Sequence, residues 1–153
     1  MNIAITGAAS GIGLAVGHVL CSGGLIPGGH RLLLVDRAGK KLEQAREALG
    51  GDVALLVTDL SHPECGQKIA EASAKYMGDV HGLVSNAGAI TSGRLDETSV
   101  ADFDLIFAIN TRATWLIANA LYPRLKASGG AIVATASVAA HQPAPPTRFL
   151  FGE

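Results

Sequence analysis

The sequence has no apolar run near the roughly 20 residues that a membrane-spanning helix needs, so we expect no membrane partner. Charged residues make up only 16% of the chain, with a net charge of −1 and no basic patch, which excludes a nucleic-acid-binding surface. Its two cysteines, Cys21 and Cys65, lack metal-ligand spacing, so we expect buried, reduced thiols and no metal site. The chain also lacks the basic start of a signal peptide, and the expected location is cytoplasmic.

Hydrophobic residues make up 48% of the 153-residue chain, which suits one globular domain over residues 1–153. Short apolar runs alternate with helical patterns, which is typical of parallel βαβ units. The predicted fold is therefore α/β, a three-layer doubly wound parallel sheet with helices on both faces. The five predicted strands lie at residues 2–6, 31–35, 53–57, 81–84 and 131–135. Residues 22–30 are interpreted as a surface insertion, and the tail 141–153 as irregular.

Two helix boundaries can be predicted from local sequence. Gly50 and Gly51 should end the helix that presents Leu42 and Ala45 on one face. Ser61, placed before a proline, is predicted to cap the start of the next helix.

Three glycines occupy the turn between the first strand and the first helix. Gly7 allows the tight bend, Gly11 allows close approach of a pyrophosphate, and Gly13 allows the helix to pack against the strand. The helix that begins there directs unpaired N–H groups at the anion. Such a turn alone is weak evidence, because glycine-rich turns also occur where nothing binds. The candidate cofactor-binding residues of this turn are Thr6, Gly7, Ser10, Gly11, Ile12 and Gly13.

The second apolar run ends in Asp36, near the offset of about 20 residues at which a carboxylate binds the ribose hydroxyls of a dinucleotide. The alternative is a solvated aspartate that merely ends a strand. Asp36 beside a 2′-phosphate would place like charges together, so the sequence favours NAD over NADP. The next residue, Arg37, keeps NADP as the less favoured cofactor.

The third and fourth strands run into two more motifs, Asp59-Leu60 and the segment of residues 85–88 with the sequence Ser-Asn-Ala-Gly. With these motifs and the glycine turn, the chain resembles the short-chain dehydrogenase/reductase family over nearly its whole length. The resemblance implies a Rossmann-type NAD(P)-binding domain, and Ser85 departs from the family's asparagine. On the residues alone, an asparagine that only caps the turn is the alternative for position 86. The cofactor contacts that the resemblance implies come from Asp59, Leu60, Asn86, Ala87 and Gly88.

A long helical pattern from about residue 100 to 126 carries Asn110 on its apolar stripe. A buried amide there must find hydrogen-bond partners or lose roughly 1–3 kcal/mol. The residues alone favour a structural asparagine slightly, whereas the resemblance implies the catalytic asparagine that helps to hold a water in a proton relay. After the fifth strand, Ser137 matches the family's catalytic serine, whose hydroxyl would polarise the substrate oxygen. A turn serine that merely leaves the strand is the alternative reading of Ser137.

The resemblance also implies a tyrosine and a lysine after Ser137, but residues 138–153 contain neither. Tyr122 and Lys126 have the right spacing, but they precede Ser137, and Pro123 is predicted to break the helix between them. The chain therefore resembles only the N-terminal, cofactor-binding portion of the family and is expected to be incomplete at its C-terminus. In the family, further helices cover the sheet near the fourth and fifth strands. Without them, Ile132 and Val133 should face water unless a second copy of the chain covers them, so a homo-oligomer is expected.

Three functions are compatible with these residues. The first is an NAD-dependent oxidoreductase that interconverts a secondary alcohol and a ketone, both small molecules. The second is a module that binds NAD without turnover, which also fits the missing tyrosine and lysine. The third is another nucleotide-fold enzyme such as a methyltransferase, which residues 85–88 disfavour.

Overall fold

The structure is a computed structural model that describes residues 1–22, 30–91 and 96–137. In this part of the chain, five parallel strands form one sheet in the order β3-β2-β1-β4-β5. The elements are β1 (Asn2–Thr6), α1 (Gly11–Ser22), β2 (Arg31–Asp36), α2 (Gly39–Leu49), β3 (Asp52–Val57), α3 (Cys65–Tyr76), β4 (Gly82–Ser85), α4 (Val100–Phe107), a π-helical turn (Ala108–Arg112), α5 (Ala113–Ser128) and β5 (Ala131–Ala134). The predicted parallel sheet and its five strands are confirmed, with boundaries that differ by at most one residue.

The sheet is covered on both faces, as the three-layer prediction requires. Ile3 and Ile5 of β1 pack with Leu42 in one apolar cluster that includes α1 and α2. Ala4 faces the opposite side and packs in a second cluster with Ile69 of α3 and Ile117 of α5. Because successive strand residues point to opposite faces, a nearly continuous apolar strand supplies both cores.

The two predicted helix boundaries had different outcomes. Helix α2 ends at Gly50, whose φ of 63° is the left-handed conformation that glycine adopts without strain. The predicted cap at Ser61 is wrong, because α3 begins only at Cys65. Asp59 explains the difference: its Oδ1 accepts the Ser61 N–H at 2.8 Å, which folds these residues into a tight turn instead of a helix start.

The long helical pattern is one rod with an irregular middle. Ser99 caps α4 through a reciprocal pair of hydrogen bonds with Asp102. The π-helical turn then inserts around Asn110 before α5 continues. The predicted break at Pro123 is wrong, since α5 runs through it to Ser128. Pro123 lies on the exposed side of α5, so water can reach the carbonyl four residues earlier that proline leaves without an N–H donor. The buried side chains of Leu121 and Leu125 on either side hold the helix against the core.

Strand β5 lies at the edge of the described sheet and is poorly covered. Ile132 is 44% exposed and Val133 is 61% exposed in the single chain, as the sequence predicted. The interpretation of residues 22–30 as a surface insertion falls mainly on residues 23–29, outside the described residues, and so does that of the tail 141–153.

Other features of the described residues bear on partners. Cys65 is buried, Cys21 is half-buried, and both are free; burial raises the pKa of both thiols. Among the helices that the structure describes, none is long and apolar enough to cross a membrane.

Candidate cofactor-binding site

An open cleft of about 680 Å³ lies along the carboxyl ends of the strands. It is centred on the neighbouring strands β1 and β4, where the strand order reverses and where open α/β sheets bind their ligands. Most residues predicted from the sequence meet in this cleft although they come from four separate segments. The predicted residues that line it are Gly7, Ser10, Gly11, Ile12, Asp36, Arg37, Asp59, Leu60, Asn86, Ala87 and Gly88.

The glycine turn has no space for side chains at two of its three glycines. A Cβ on Gly7, whose φ is 65°, would lie 2.8 Å from the Ala87 Cα. A Cβ on Gly13 would lie 2.3 Å from the carbonyl oxygen of Gly7, so α1 packs directly on the turn. Gly11 has a φ of 53° with open space around the missing Cβ, which leaves the start of α1 accessible from the cleft. The first N–H groups of α1 have no intrahelical partners and can bind an anion there.

Thr6 lies beneath the cleft and does not line it. Its buried hydroxyl accepts the backbone N–H groups of Asn86 at 3.0 Å and of Ala87 at 3.1 Å. The Asn86 side chain donates from Nδ2 to the Thr6 carbonyl at 3.4 Å. These bonds join the end of β1 to the segment after β4, so Thr6 and Asn86 shape the floor on which the glycine turn rests.

Asp36 is half-buried at the end of β2, and both of its carboxylate oxygens are held. Oδ2 accepts the N–H of Ala9 at 3.2 Å, and Oδ1 accepts the N–H of Ala38 at 3.0 Å. The carboxylate therefore connects the glycine turn to the start of α2. Two cations, Arg37 and Lys41, line the same end of the cleft.

Asp59 and Leu60 form the far end of the cleft, after β3. Hydrogen bonds from the backbone and side chain of Ser61 hold the pKa of Asp59 below its usual value, against the opposing effect of burial. The turn is anchored from the other side, since the Arg112 guanidinium donates to the Ser61 carbonyl at 2.6 Å. Leu60 is buried, so this end of the cleft combines the fixed carboxylate of Asp59 with the apolar side chain of Leu60.

Asn110 does not line the cleft but holds the segment that does. Its Oδ1 accepts the N–H of Ala89 at 2.7 Å, and its Nδ2 donates to the carbonyl of Ala89 at 2.8 Å. The π-helical turn sets this residue against Gly88, where a Cβ would lie 3.5 Å from the Asn110 Oδ1. The amide on the apolar stripe is thus satisfied by two backbone hydrogen bonds, and the catalytic role that the resemblance implies stays a prediction.

Ser137 is the last of the predicted site residues along the chain. It is exposed, three residues beyond the end of β5, and is not among the residues that line the cleft. Ser85, the departure from the family's asparagine, is buried and pairs its hydroxyl with that of Thr114 at 2.8 Å. Ser85 therefore links β4 to α5.

Tyr122 and Lys126 lie outside the cleft. Counted from Asn110, Tyr122 is 12 residues further along the rod, about 18 Å at the helical rise. The Lys126 Nζ lies 5.9 Å from the centre of the Tyr122 ring, and the ring is 56% exposed. Their rejection as a catalytic pair holds, although the predicted reason, a break at Pro123, does not.

Several cleft residues were missed by the reasoning from sequence. Small residues such as Ala9 and Ala38 contribute backbone N–H groups, and composition gives no signal for these. Lys41 follows Asp36 by five positions on the first turn of α2, and this spacing could have placed it at the cleft. The lining residues that were not predicted are Ala9, Ala38, Lys41, Thr58, Ala89, Ile90, Ile109 and Thr135.

The donors of the cleft fit a dinucleotide better than a metal ion. Backbone N–H groups at the start of α1 suit a diphosphate, and a fixed carboxylate suits ribose hydroxyls. In the part of the chain that the structure describes, no group of three His, Cys, Asp or Glu side chains could hold a metal ion.

The model of the family described as short chain dehydrogenase matches residues 1–148 of the chain. Two curated relatives are each 36% identical: 1-deoxy-11-beta-hydroxypentalenate dehydrogenase of Streptomyces avermitilis, over 143 residues, and D-threitol dehydrogenase of Mycolicibacterium smegmatis, over 140 residues. Each alignment covers 89% of this chain, and they cover 51% and 52% of the relatives respectively. The chain thus spans about half the length of these relatives.

A solved structure gives the same picture. The alcohol dehydrogenase of the archaeon Thermococcus sibiricus, complexed with 5-hydroxy-NADP, superposes with a TM-score of 0.86 at 29% sequence identity. The superposition covers 95% of this chain and 62% of that one.

Proposed function

The chain belongs to the short-chain dehydrogenase family, and from that premise we propose that it forms the cofactor-binding part of an NAD(H)-dependent oxidoreductase. The proposed reaction is hydride transfer between NAD(H) and a small secondary alcohol or ketone. The observation that supports this most is the cleft itself, which brings Gly11, Asp36 and Gly88 to one cavity at the carboxyl edge of the sheet. Membership of this family removes the methyltransferase alternative.

The strand order and the positions of Asp36 and Asn86 support one orientation of the dinucleotide. We place the diphosphate at the start of α1, the adenosine between Asp36 and Asp59, and the nicotinamide beside Asn86 and Thr135. From the end of β2 to the end of β5 is three strand spacings, about 14 Å, which suits an extended dinucleotide.

NAD is proposed over NADP because of the way Asp36 is held. Two backbone N–H groups fix its carboxylate at the place where a 2′-phosphate would lie, and like charges would repel there. Arg37 and Lys41 line the same end and would favour a phosphate, so NADP remains the competitor that an experiment must exclude.

The chain's own residues would bind and orient the cofactor, while the nicotinamide ring accepts or donates the hydride. Asn110 fixes the backbone of Ala89 on the nicotinamide side. Ser137 is proposed to donate to the substrate oxygen as charge develops on it. The sequence after Ser137 contains no tyrosine and no lysine, so the proton donor that the family resemblance implies is not among these 153 residues.

The second candidate from the sequence analysis is an NAD-binding module without turnover. Titration of the purified chain with NADH, followed by fluorescence, tests the binding that both candidates share. Production of NADH after addition of NAD⁺ and a panel of secondary alcohols would select the oxidoreductase, because it requires turnover and a proton acceptor within the chain. Failure to bind either NADH or NADPH would contradict both candidates.

Cofactor preference is tested by Asp36→Asn. Wild type should bind NADH more tightly than NADPH, and the variant should lose this preference since the repelling charge is gone. Asp79→Asn is the matched control, because Asp79 is exposed at the opposite edge of the sheet, before β4. A wild type that prefers NADPH would overturn the assignment of NAD.

Assembly and location also stay proposals. The exposed apolar side chains of Ile132 and Val133 on β5 support a homo-oligomer. Analytical ultracentrifugation would contradict it by showing a monodisperse, stable monomer. The proposed location is cytoplasmic, on the sequence grounds given above.

A further inference from the structure

Three strand ends meet at the side chain of Asn86. Its Nδ2 donates to the carbonyl oxygen of Thr6, the last residue of β1, and its Oδ1 accepts a hydrogen bond of 3.0 Å from the hydroxyl of Thr135, just after β5. Thr135 also donates its backbone N–H to the carbonyl of Ser85 at 3.0 Å. The exit of β5 is therefore attached to the segment after β4 by one backbone bond and one side-chain bond.

The donors and acceptors in these hydrogen bonds fix the orientation of the Asn86 amide. A backbone carbonyl only accepts, so the end of the Asn86 amide that faces Thr6 must be its NH₂ group. The Oδ1 of Asn86 then faces Thr135, whose hydroxyl must donate its single proton. Valine, which has the same shape as threonine but no donor, would leave that oxygen without its partner.

The position of the Asn86 amide matters to the glycine turn. A Cβ on Gly13 would lie 2.8 Å from the Asn86 Nδ2, and one on Gly7 would lie 3.1 Å from it. The Nδ2 end of the amide thus packs directly against both glycines, while the Oδ1 end is the one that faces Thr135. Thr135 itself lines the cleft, on the side away from Asp36 and Asp59.

We propose that Thr135 is a positioning residue that fixes the nicotinamide end of the cleft by holding the Asn86 amide in one orientation. The inference rests on the proposed function and deepens it, since Thr135 acts on the cofactor through Asn86. Ser137 is two residues further along the chain, so the same bond limits how far the start of its segment can move relative to the cleft.

The test compares two ligands that share the adenosine diphosphate but differ in the nicotinamide half. Thr135→Val should weaken NADH binding about five- to tenfold, the loss expected for one hydrogen bond, while the affinity for ADP stays within about twofold. Thr135→Ala should give the same pattern. Thr135→Ser keeps the donor and should restore NADH affinity to within about twofold of wild type.

Ser128→Ala is the matched control for stability. It removes a hydroxyl that donates to the Val80 carbonyl at 2.6 Å, at the opposite edge of the sheet, so it should lower Tm without changing either affinity. Unchanged NADH binding in Thr135→Val, equal weakening of NADH and ADP, or failure of Thr135→Ser to rescue would each overturn the inference while the proposed function stands. A wild-type chain that binds no NADH would overturn the proposed function, and this inference with it.

Discussion

The two hydrogen bonds between Asn110 and Ala89 should make a large contribution to the stability of this chain. Asn110→Ala removes both bonds and leaves the N–H and C=O of Ala89 without their partner. An unpaired buried group costs about 1–3 kcal/mol, and we take the lower value because both residues are only half-buried. The free energy of unfolding should therefore fall by about 2 kcal/mol, a change of about 30-fold in the unfolding constant.

The assay is equilibrium unfolding in urea, followed by circular dichroism. Asn119→Ala is the matched control, because Asn119 is an exposed residue of α5 and its replacement gains the same helix propensity. The control should stay within about 0.5 kcal/mol of wild type, whereas Asn110→Ala should also lose about 4–8 °C in Tm. Equal stabilities of the two variants would refute the structural role assigned to Asn110.

Three further predictions concern other parts of the fold. The hydroxyl of Ser73 is buried and has no hydrogen-bond partner among the described residues. Ser73→Ala should therefore leave the free energy of unfolding unchanged or raise it by up to about 1 kcal/mol in the same urea assay. A clear loss of stability would contradict the absence of a partner. A Cβ at Gly13 would lie 2.3 Å from a backbone carbonyl oxygen. Gly13→Ala should therefore destabilise the chain by about 3 kcal/mol and abolish NADH binding. A stable variant that binds NADH would contradict the close packing. Burial and a hydrogen bond to Asp52 raise the pKa of Tyr76 to about 12 from 10.0, so the stability that Tyr76 contributes should be complete below pH 10.0 and lost as pH rises through about 12. Tyrosinate absorbance in a Tyr122→Phe background measures this directly: the midpoint should fall when Asp52→Asn is added, and a midpoint at 10.0 in the folded protein without that change would refute the pairing.

The sheet was predictable because its signals are local. Apolar runs separated by helical patterns gave five strands, and the glycine turn and Asp36 marked the edge at which a ligand would bind. These signals depend on backbone conformation and on burial, both of which are encoded within a few residues.

The errors came from interactions that the sequence patterns did not include. Pro123 does not break α5, because Leu121 and Leu125 pack in the core on either side of it. Ser61 does not cap α3, since its N–H donates to the side chain of Asp59 and the residues form a turn. In both cases a local preference was overridden by an interaction that the pattern did not contain.

The lining of the cleft was predictable in part, but its hydrogen bonds were not. Asn110 was singled out correctly as an amide in an apolar stripe, yet its partner Ala89 is 21 positions away and could not be identified from sequence. Thr135 had no pattern to mark it, because its role depends on the orientation of the Asn86 amide. Hydrogen bonds between strand ends follow from the sheet order, and the sequence alone does not specify that order.

The most direct test of the central claim is a crystal structure of the chain with bound NAD⁺. We expect the diphosphate against the start of α1 between Gly11 and Gly13, and the adenosine ribose hydroxyls within hydrogen-bond distance of the Asp36 carboxylate. A dinucleotide bound elsewhere, or a cleft that stays empty at saturating NAD⁺ and NADP⁺, would contradict the account.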